Sequence, residues 1–211
     1  ATDDRFTAIV DEGVATTDPQ YGHSAHVDAD GLDPATDYHY RFTVGEFTSP
    51  VGRTRTLPAT GESVSRLSLA VANCQWYEYG YYSAYRHMAE EDVDLVLHLG
   101  DYLYEFYVPG QVRASVPSFE TTTLAEYRLR YACYKTDADL QSAHQRFPFV
   151  CMWDDHDVSN NYLGETVPEN TFPPEQFPDR RAAAYQAWWE NLPLRNPPPE
   201  GPELDIHQAL T

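Results

Sequence analysis

The sequence predicts an α/β fold that is preceded by a short all-β segment. From Arg66 onward, short apolar runs alternate with amphipathic stretches, which is the pattern of parallel strands joined by crossover helices. Three of the apolar runs end abruptly in acids, amides, a histidine or a cysteine. Before residue 57, short alternating segments are separated by Gly, Pro and Asp, which is typical of a β-sandwich. We therefore predict a β segment over residues 1–57, a linker over residues 58–65 and an α/β domain over residues 66–211.

The β segment contains one specific turn signal. The stretch Gly31-Leu-Asp-Pro-Ala-Thr-Asp-Tyr38 places Leu, Pro and Tyr at a spacing that resembles the tyrosine corner of fibronectin type III domains. Because residues 1–57 are few for a whole sandwich, we expect only part of a fibronectin III-like or Ig-like sandwich here. The following Leu57–Ser63 is rich in turn formers and lacks periodicity, as a linker would.

The α/β domain is predicted to contain three main strands and four helices. The strands are Leu67–Ala72, Leu95–Leu99 and Phe147–Trp153, and the helices are Tyr81–Glu91, Thr123–Tyr134, Ala138–Arg146 and Asp179–Glu190. The last helix has an acid at its start, good helix formers inside and Pro193 soon after its end. Residues 106–121 are predicted to form a loop, and Glu203–Leu210 to begin a further strand.

Charge and hydropathy exclude several function classes. The chain has 33 acidic and 14 basic residues in 211, a formal net charge of -19. Nucleic acids and anionic membranes reward clustered Lys and Arg, so we expect no nucleic-acid-binding surface. No apolar run is long enough to span a bilayer, so no transmembrane segment is expected, and the first residues lack a signal-peptide pattern. Such an acidic protein is instead suited to bind cations.

Polar side chains follow each of the three predicted strands. Cys74 comes after the first strand, Asp101 and Tyr104 after the second, and Asp155 and His156 after the third. Each alone has an ordinary structural explanation, such as a helix cap, a core thiol or a hydrogen-bonded histidine. Together they predict a metal site, because carboxylates stacked at one sheet edge repel each other and lose hydration unless a cation joins them. Carboxylates suit Ca²⁺, Mg²⁺ or ferric iron, whereas a thiolate and a phenolate suit iron.

The motifs at these strand ends resemble those of a known family. Three of them are Asn73-Cys74-Gln75, His98-Leu-Gly-Asp-Tyr-Leu-Tyr-Glu105 and Trp153-Asp-Asp-His-Asp-Val-Ser-Asn-Asn161. They resemble the motif series of PhoD-type alkaline phosphatases, a branch of the metallophosphoesterases that includes phospholipase D-like phosphodiesterases. The resemblance extends over essentially the whole chain. It implies a metallophosphoesterase-type layered α/β catalytic domain. This chain would contain the first half of that domain, and a complete site would require the second half.

The resemblance also implies a role for each site residue. Cys74 stands where the family has a thiolate ligand of ferric iron, and Tyr104 where it has a phenolate ligand. Asp101 stands at the position of a carboxylate that bridges two metals, and Asp155 at that of a ligand of the second metal. His156 matches the histidine that faces the phosphate and helps to protonate the leaving group. The expected cofactors are Fe³⁺ and Ca²⁺, with other divalent metals as alternatives.

The expected function is metal-dependent hydrolysis of a phosphate ester, either a small monoester or a lipid or nucleotide diester. The alternative is a calcium-stabilised extracellular binding module without catalysis. Location is expected to be secreted, extracellular or in the cell envelope. Once Cys74 is assigned to iron, Cys133 and Cys151 remain for a disulfide bridge, with two reduced core cysteines as the alternative.

Overall fold

The structure is a computed structural model of the chain, and it describes residues 1–168 and 172–207. The N-terminal part contains short antiparallel ladders. Strand β1 (Asp37–Tyr40) pairs with β4 (Gly52–Arg55), and β2 (Thr43–Val44) pairs with β3 (Phe47–Thr48). Tyr38 in β1 is buried, and its hydroxyl accepts a hydrogen bond of 2.8 Å from the backbone N–H of Asp33. This contact closes the turn before β1 in the way that the tyrosine-corner spacing predicts.

A parallel three-stranded sheet lies at the centre of the remainder. Its order is β5 (Leu69–Ala72), β6 (Leu95–His98) and β7 (Phe149–Cys151), and both pairings are parallel, as predicted. Ala72 is opposite His98, and His98 is opposite Cys151, so the three strands end at the same edge. The strands are shorter than predicted: β5 begins two residues later, β6 ends one residue earlier, and β7 is shorter by two residues at each end.

Helices cover one face of this sheet. They are α1 (Ser83–Met88), α2 (Leu124–Tyr134), α3 (Ala138–Arg146) and α4 (Phe177–Asn191). The N-termini of α2 and α3 are fixed by capping residues. Thr123 and Glu126 form a capping box at the start of α2, and the Asp137 side chain accepts the N–H groups of Asp139 and Leu140 at the start of α3. Within the described residues, no helix is both long and apolar enough to cross a membrane.

The core lies between the helices and the inner face of the sheet. On that face, Val96, His98, Phe149 and Cys151 are all at most 5% exposed. Burial of the apolar Val96, Phe149 and Cys151 side chains stabilises this packing by about 2 kcal/mol each. The opposite face of β5 exposes Leu69 and Val71.

Two predictions about the chain are corrected. All three cysteines are free thiols, so the expected bridge between Cys133 and Cys151 is wrong. The sulfur of Cys133 contacts the loop over residues 106–121, where it accepts a hydrogen bond from the N–H of Val116 at 3.4 Å. Cys151, in contrast, is buried in the sheet. The strand expected over Glu203–Leu210 is not formed over residues 204–207, and residues 208–210 lie outside the described part.

Gly100 permits a close approach between two of the strand ends. It follows β6 with a φ of +99°, and a Cβ placed there would lie 2.4 Å from the backbone nitrogen of Asp154 and 2.7 Å from the carbonyl carbon of Trp153. Both atoms belong to the backbone and have little freedom to move. Glycine is therefore required here for steric reasons as well as for its positive φ.

We expect Gly100→Ala to lower the free energy of unfolding by about 3 kcal/mol, because the loops after β6 and β7 would be forced apart. Gly110→Ala is the matched control, since Gly110 also has a positive φ, +78°, but no atom within 4 Å of the added Cβ. The control should cost only about 1 kcal/mol, the penalty of the backbone conformation. Urea unfolding of both variants measures the difference, and equal losses would contradict a steric role.

Candidate functional site

Backbone hydrogen bonds continue beyond the end of the sheet and join the first two strand-end loops. The N–H of Cys74 donates to the carbonyl of Gly100 at 3.2 Å, and the N–H of Gln75 donates to that of Asp101 at 3.1 Å. Cys74 and Asp101 therefore lie side by side although Asp101 comes 27 positions after Cys74 in sequence. This pairing follows from the parallel register, which places the residues after β5 next to those after β6.

Cys74 and Asp101 share an unusual backbone conformation. Their φ angles are +51° and +52°, in the left-handed region that non-glycine residues seldom adopt. Each such residue costs about 1 kcal/mol or more, and it persists only where the surrounding structure imposes it. Residues of this kind concentrate at functional sites, and here they are two of the predicted metal ligands.

Three of the predicted site residues converge on one point. One ligand atom each from Asp101, Asp155 and His156 lies within 4.8 Å of the others. The backbone N–H of His156 also donates to the Asp101 carboxylate at 3.3 Å, which ties the turn after β7 to the loop after β6. We call Asp101, Asp155 and His156 the site trio.

The charge balance of the site trio suits a cation. Asp101 is only 5% exposed, and this burial raises the pKa of its carboxyl group. In the described ranges of the chain, no Lys or Arg forms an ion pair with Asp101 or Asp155. Two carboxylates that lie close together without a Lys or Arg partner offer the oxygen ligands that hard metal ions prefer.

Tyr104 and Cys74 adjoin the site trio through Asp101. The Tyr104 hydroxyl donates to the Asp101 carboxylate at 3.0 Å, and the Cys74 thiol interacts with both side chains. Burial and the nearby Asp101 carboxylate raise the pKa of Tyr104 and of Cys74 above their usual values. Both groups are therefore protonated at neutral pH in the metal-free protein, and only a strong Lewis acid would make them a phenolate and a thiolate. These donors fit iron.

Glu105 orients the ring of His156. One oxygen of Glu105 lies 2.9 Å from Nδ1 of His156, and the other accepts the N–H of Asn160 at 2.6 Å. Tyr104 stacks on the imidazole at 4.2 Å, and Phe106 meets its edge at 5.2 Å. The Glu105 carboxylate accepts a hydrogen bond from the N–H at Nδ1, which leaves Nε2 as the nitrogen that can exchange a proton with a bound group.

Glu105 and Asp157 are site residues that the sequence reasoning missed. Asp157, at 1% exposed, accepts N–H groups of Tyr102 at 3.0 Å and Leu103 at 3.2 Å, and also that of Asp154 at 3.0 Å. It thereby connects the loop after β6 to the turn after β7. The signal was present in the motifs, since both acids lie within four residues of a predicted ligand.

A surface pocket of about 440 Å³ borders the site trio on one side. It is lined by Asp154, Asp155, Asn161, Tyr162 and Leu163. The N–H of Asn161 donates to the Asp155 carboxylate, so the loop that forms the pocket wall also fixes a predicted ligand.

We expect Glu105→Gln to lower the pKa of His156 in the metal-free protein. Burial by itself lowers this pKa, but the hydrogen bond and charge of Glu105 outweigh it, with further support from Asp101 and Asp155, so the pKa lies above its usual value of 6.5. Removing the Glu105 charge leaves the burial, and the imidazolium then loses its proton at lower pH. An NMR titration of the His156 ring measures the shift. Glu46→Gln, an exposed control, should leave it unchanged, and an unchanged pKa in Glu105→Gln would contradict the pairing.

The chain is similar to known proteins of one family. The model of the PhoD-like phosphatase family matches residues 69–211, and that of its N-terminal domain matches residues 1–58. Alkaline phosphatase D of Bacillus subtilis (strain 168) is 49% identical over 218 residues, which cover 100% of this chain and 37% of that protein. A solved structure described as "Structure of PhoD" aligns with a TM-score of 0.95 at 48% identity over 99% of this chain and 41% of that one. The chain thus spans well under half the length of these relatives. On these matches, the chain belongs to the PhoD-like phosphatase family.

Proposed function

We propose that this protein hydrolyses phosphate esters at a metal centre built around the site trio. The observation that carries the proposal is the convergence of Asp101, Asp155 and His156 within 4.8 Å. They meet at the edge of a parallel sheet, where α/β proteins commonly bind their ligands. The 49% identity to a protein named alkaline phosphatase D supports the same reaction class.

Fe³⁺ and Ca²⁺ are the proposed ions, with other divalent metals as alternatives to calcium. Cys74 and Tyr104 would hold the iron, Asp101 would bridge the two ions, and Asp155 would bind the second. When bound, the ions would supply positive charge to the phosphate oxygens and to the attacking water, which the slow uncatalysed reaction needs. Because Asp101 is buried, little water would compete at this point, and the electrostatic interaction between the ions and the phosphate would be stronger than in bulk water.

His156 is the proposed proton donor to the leaving oxygen. Its Nδ1 is held by Glu105, and its side chain is 15% exposed, so Nε2 remains accessible to a bound ester. A raised pKa keeps a larger share of His156 protonated near neutral pH, which favours proton donation. Glu105 would act as a positioning residue for this histidine.

The wider architecture and the location are also proposals. The hydrogen bond between Tyr38 and Asp33 supports a partial fibronectin III-like sandwich over residues 1–57. The exposed Leu69 and Val71 on the outer face of the sheet support a layered domain of metallophosphoesterase type, in which further chain would cover this face. The family resemblance alone supports a secreted or cell-envelope location.

The substrate class is tested on the full-length protein with 4-nitrophenyl phosphate and bis(4-nitrophenyl) phosphate. A higher kcat/KM on the first would identify a monoesterase, and a higher value on the second a diesterase.

We expect Asp101→Asn to lose bound metal and to lower kcat on the order of a hundredfold to a thousandfold. His156→Ala should retain the metal and lower kcat by about a hundredfold, whereas His87→Ala, with a side chain that is 71% exposed, should change neither. Hydrolysis of neither ester by wild type would contradict the enzyme proposal.

The metal assignment is tested by colour. Iron that is bound by a thiolate and a phenolate should give visible charge-transfer absorption, whereas a purely structural calcium site has no use for either donor. We expect Cys74→Ser and Tyr104→Phe each to shift or remove the band. Tyr79→Phe, whose side chain is 51% exposed, is the control and should preserve it. A colourless protein with iron shown to be bound would contradict the roles of both residues.

A further inference from the structure

One face of α2 is buried and yet rich in polar groups. Tyr127, Arg130, Tyr131 and Tyr134 are all 0% exposed, and their spacing of three and four residues places them on one side of the helix. We call these four residues the α2 face. A buried guanidinium and three buried hydroxyls lose hydration, so each is costly unless it finds a partner in the interior.

Arg130 finds its partners in the backbone on both sides of Glu105. Its Nη1 donates to the carbonyls of Tyr104 and Phe106, the latter at 2.8 Å. Its Nη2 donates to the carbonyls of Pro117 and Phe119, both at 2.8 Å. A single side chain therefore joins both ends of the 106–119 loop and flanks the residue that holds His156.

Tyr134 reaches two of the three strand-end loops. Its hydroxyl accepts the N–H of Tyr104 at 3.1 Å, in the loop after β6, and that of Tyr77 at 3.4 Å, in the segment after β5. One hydroxyl oxygen thus sets the distance between the segment that follows Cys74 and the loop that follows Asp101.

Tyr127 reaches the third strand end. Its hydroxyl donates to the carbonyl of Val158, in the turn that carries Asp155 and His156. The same hydroxyl accepts a hydrogen bond of 3.1 Å from Nε of Arg180 in α4, which fixes its orientation. The α2 face therefore contacts the backbone of all three segments that carry predicted site residues.

We infer that three residues of the α2 face, Arg130, Tyr134 and Tyr127, set the relative positions of the three strand-end loops and so act as positioning residues for the proposed metal centre. The loops have little regular structure of their own, and catalysis and metal binding tolerate only small errors in position. Backbone contacts from one rigid helix supply that accuracy. This inference extends the proposed function, on which its activity readout rests.

The test uses Arg130→Lys, Tyr134→Phe and Tyr127→Phe in the full-length protein. A lysine has one nitrogen and is unable to reach four carbonyls, and each phenylalanine removes a hydroxyl with little change in shape. Tyr131→Phe is the matched control, because Tyr131 lies on the same face and its hydroxyl has no hydrogen-bond partner within the described residues. The readouts are amide hydrogen exchange over residues 74–77, 102–106 and 155–158, iron and calcium bound per chain, and kcat and KM.

For Arg130→Lys we expect faster exchange at Tyr104, lower iron occupancy and a kcat that falls about tenfold to a hundredfold with KM changed by less than about threefold. Tyr134→Phe should act in the same direction on residues 77 and 104, and Tyr127→Phe on the turn at residue 158, each by about fivefold in kcat. Tyr131→Phe should match wild type in all three readouts.

Three outcomes decide the inference. If the three variants lose thermal stability but keep wild-type exchange, metal content and kcat, the α2 face serves stability alone and the inference is overturned. If Arg130→Lys fails to fold, the two phenylalanine variants decide between the same alternatives. If wild type itself hydrolyses no ester, the proposed function fails, and the exchange and metal readouts still decide whether the α2 face positions the loops.

Discussion

The contact between Gly100 and the backbone of Asp154 is the constraint on which the site depends. A Cβ at Gly100 would lie 2.4 Å from the Asp154 nitrogen, so the loops after β6 and β7 meet at a distance that other residues would prevent. Asp101 follows Gly100 and Asp155 follows Asp154 in the chain. Because Gly100 and Asp154 are in contact, the side chains of Asp101 and Asp155 come close to each other and to His156. The parallel ladder brings the strand ends together, and the glycine allows the last step.

Polar side chains in the interior then hold these loops by their backbones. Asp157 accepts three N–H groups, Arg130 donates to four carbonyls, and Glu105 joins His156 to the N–H of Asn160. Loops that leave a sheet have unpaired backbone groups, and a buried polar side chain with several hydrogen bonds satisfies many of them at once. Apolar packing would leave these groups without partners. The same loops are therefore ordered although their regular structure is limited to short 3-10 turns, which allows their side chains to face a common point.

The order and type of the elements around the site were predictable, but their ends and several contacts were not. The parallel strands and α2, α3 and α4 follow from apolar periodicity and from caps such as Thr123 and Asp137, because these signals are local. The bridge between Cys133 and Cys151 was wrong because sequence separation says nothing about which way a thiol points. Glu105 and Asp157 were missed because an acid that accepts hydrogen bonds looks the same in sequence as one that binds a metal.

What the sequence by itself determined is the inventory: three apolar strands that each end in possible ligands, the helices between them, an acidic composition and motifs that resemble one family. Those properties depend on the side chains of neighbouring residues and are therefore readable from the chain. Only the tertiary structure decided that Asp101, Asp155 and His156 converge, that Glu105 contacts the ring of His156, and that Arg130, 26 residues beyond Tyr104, donates to the carbonyl of Tyr104. Contacts between residues distant in sequence depend on the register of the sheet and on how the helices pack against it, and neither is a property of any single segment.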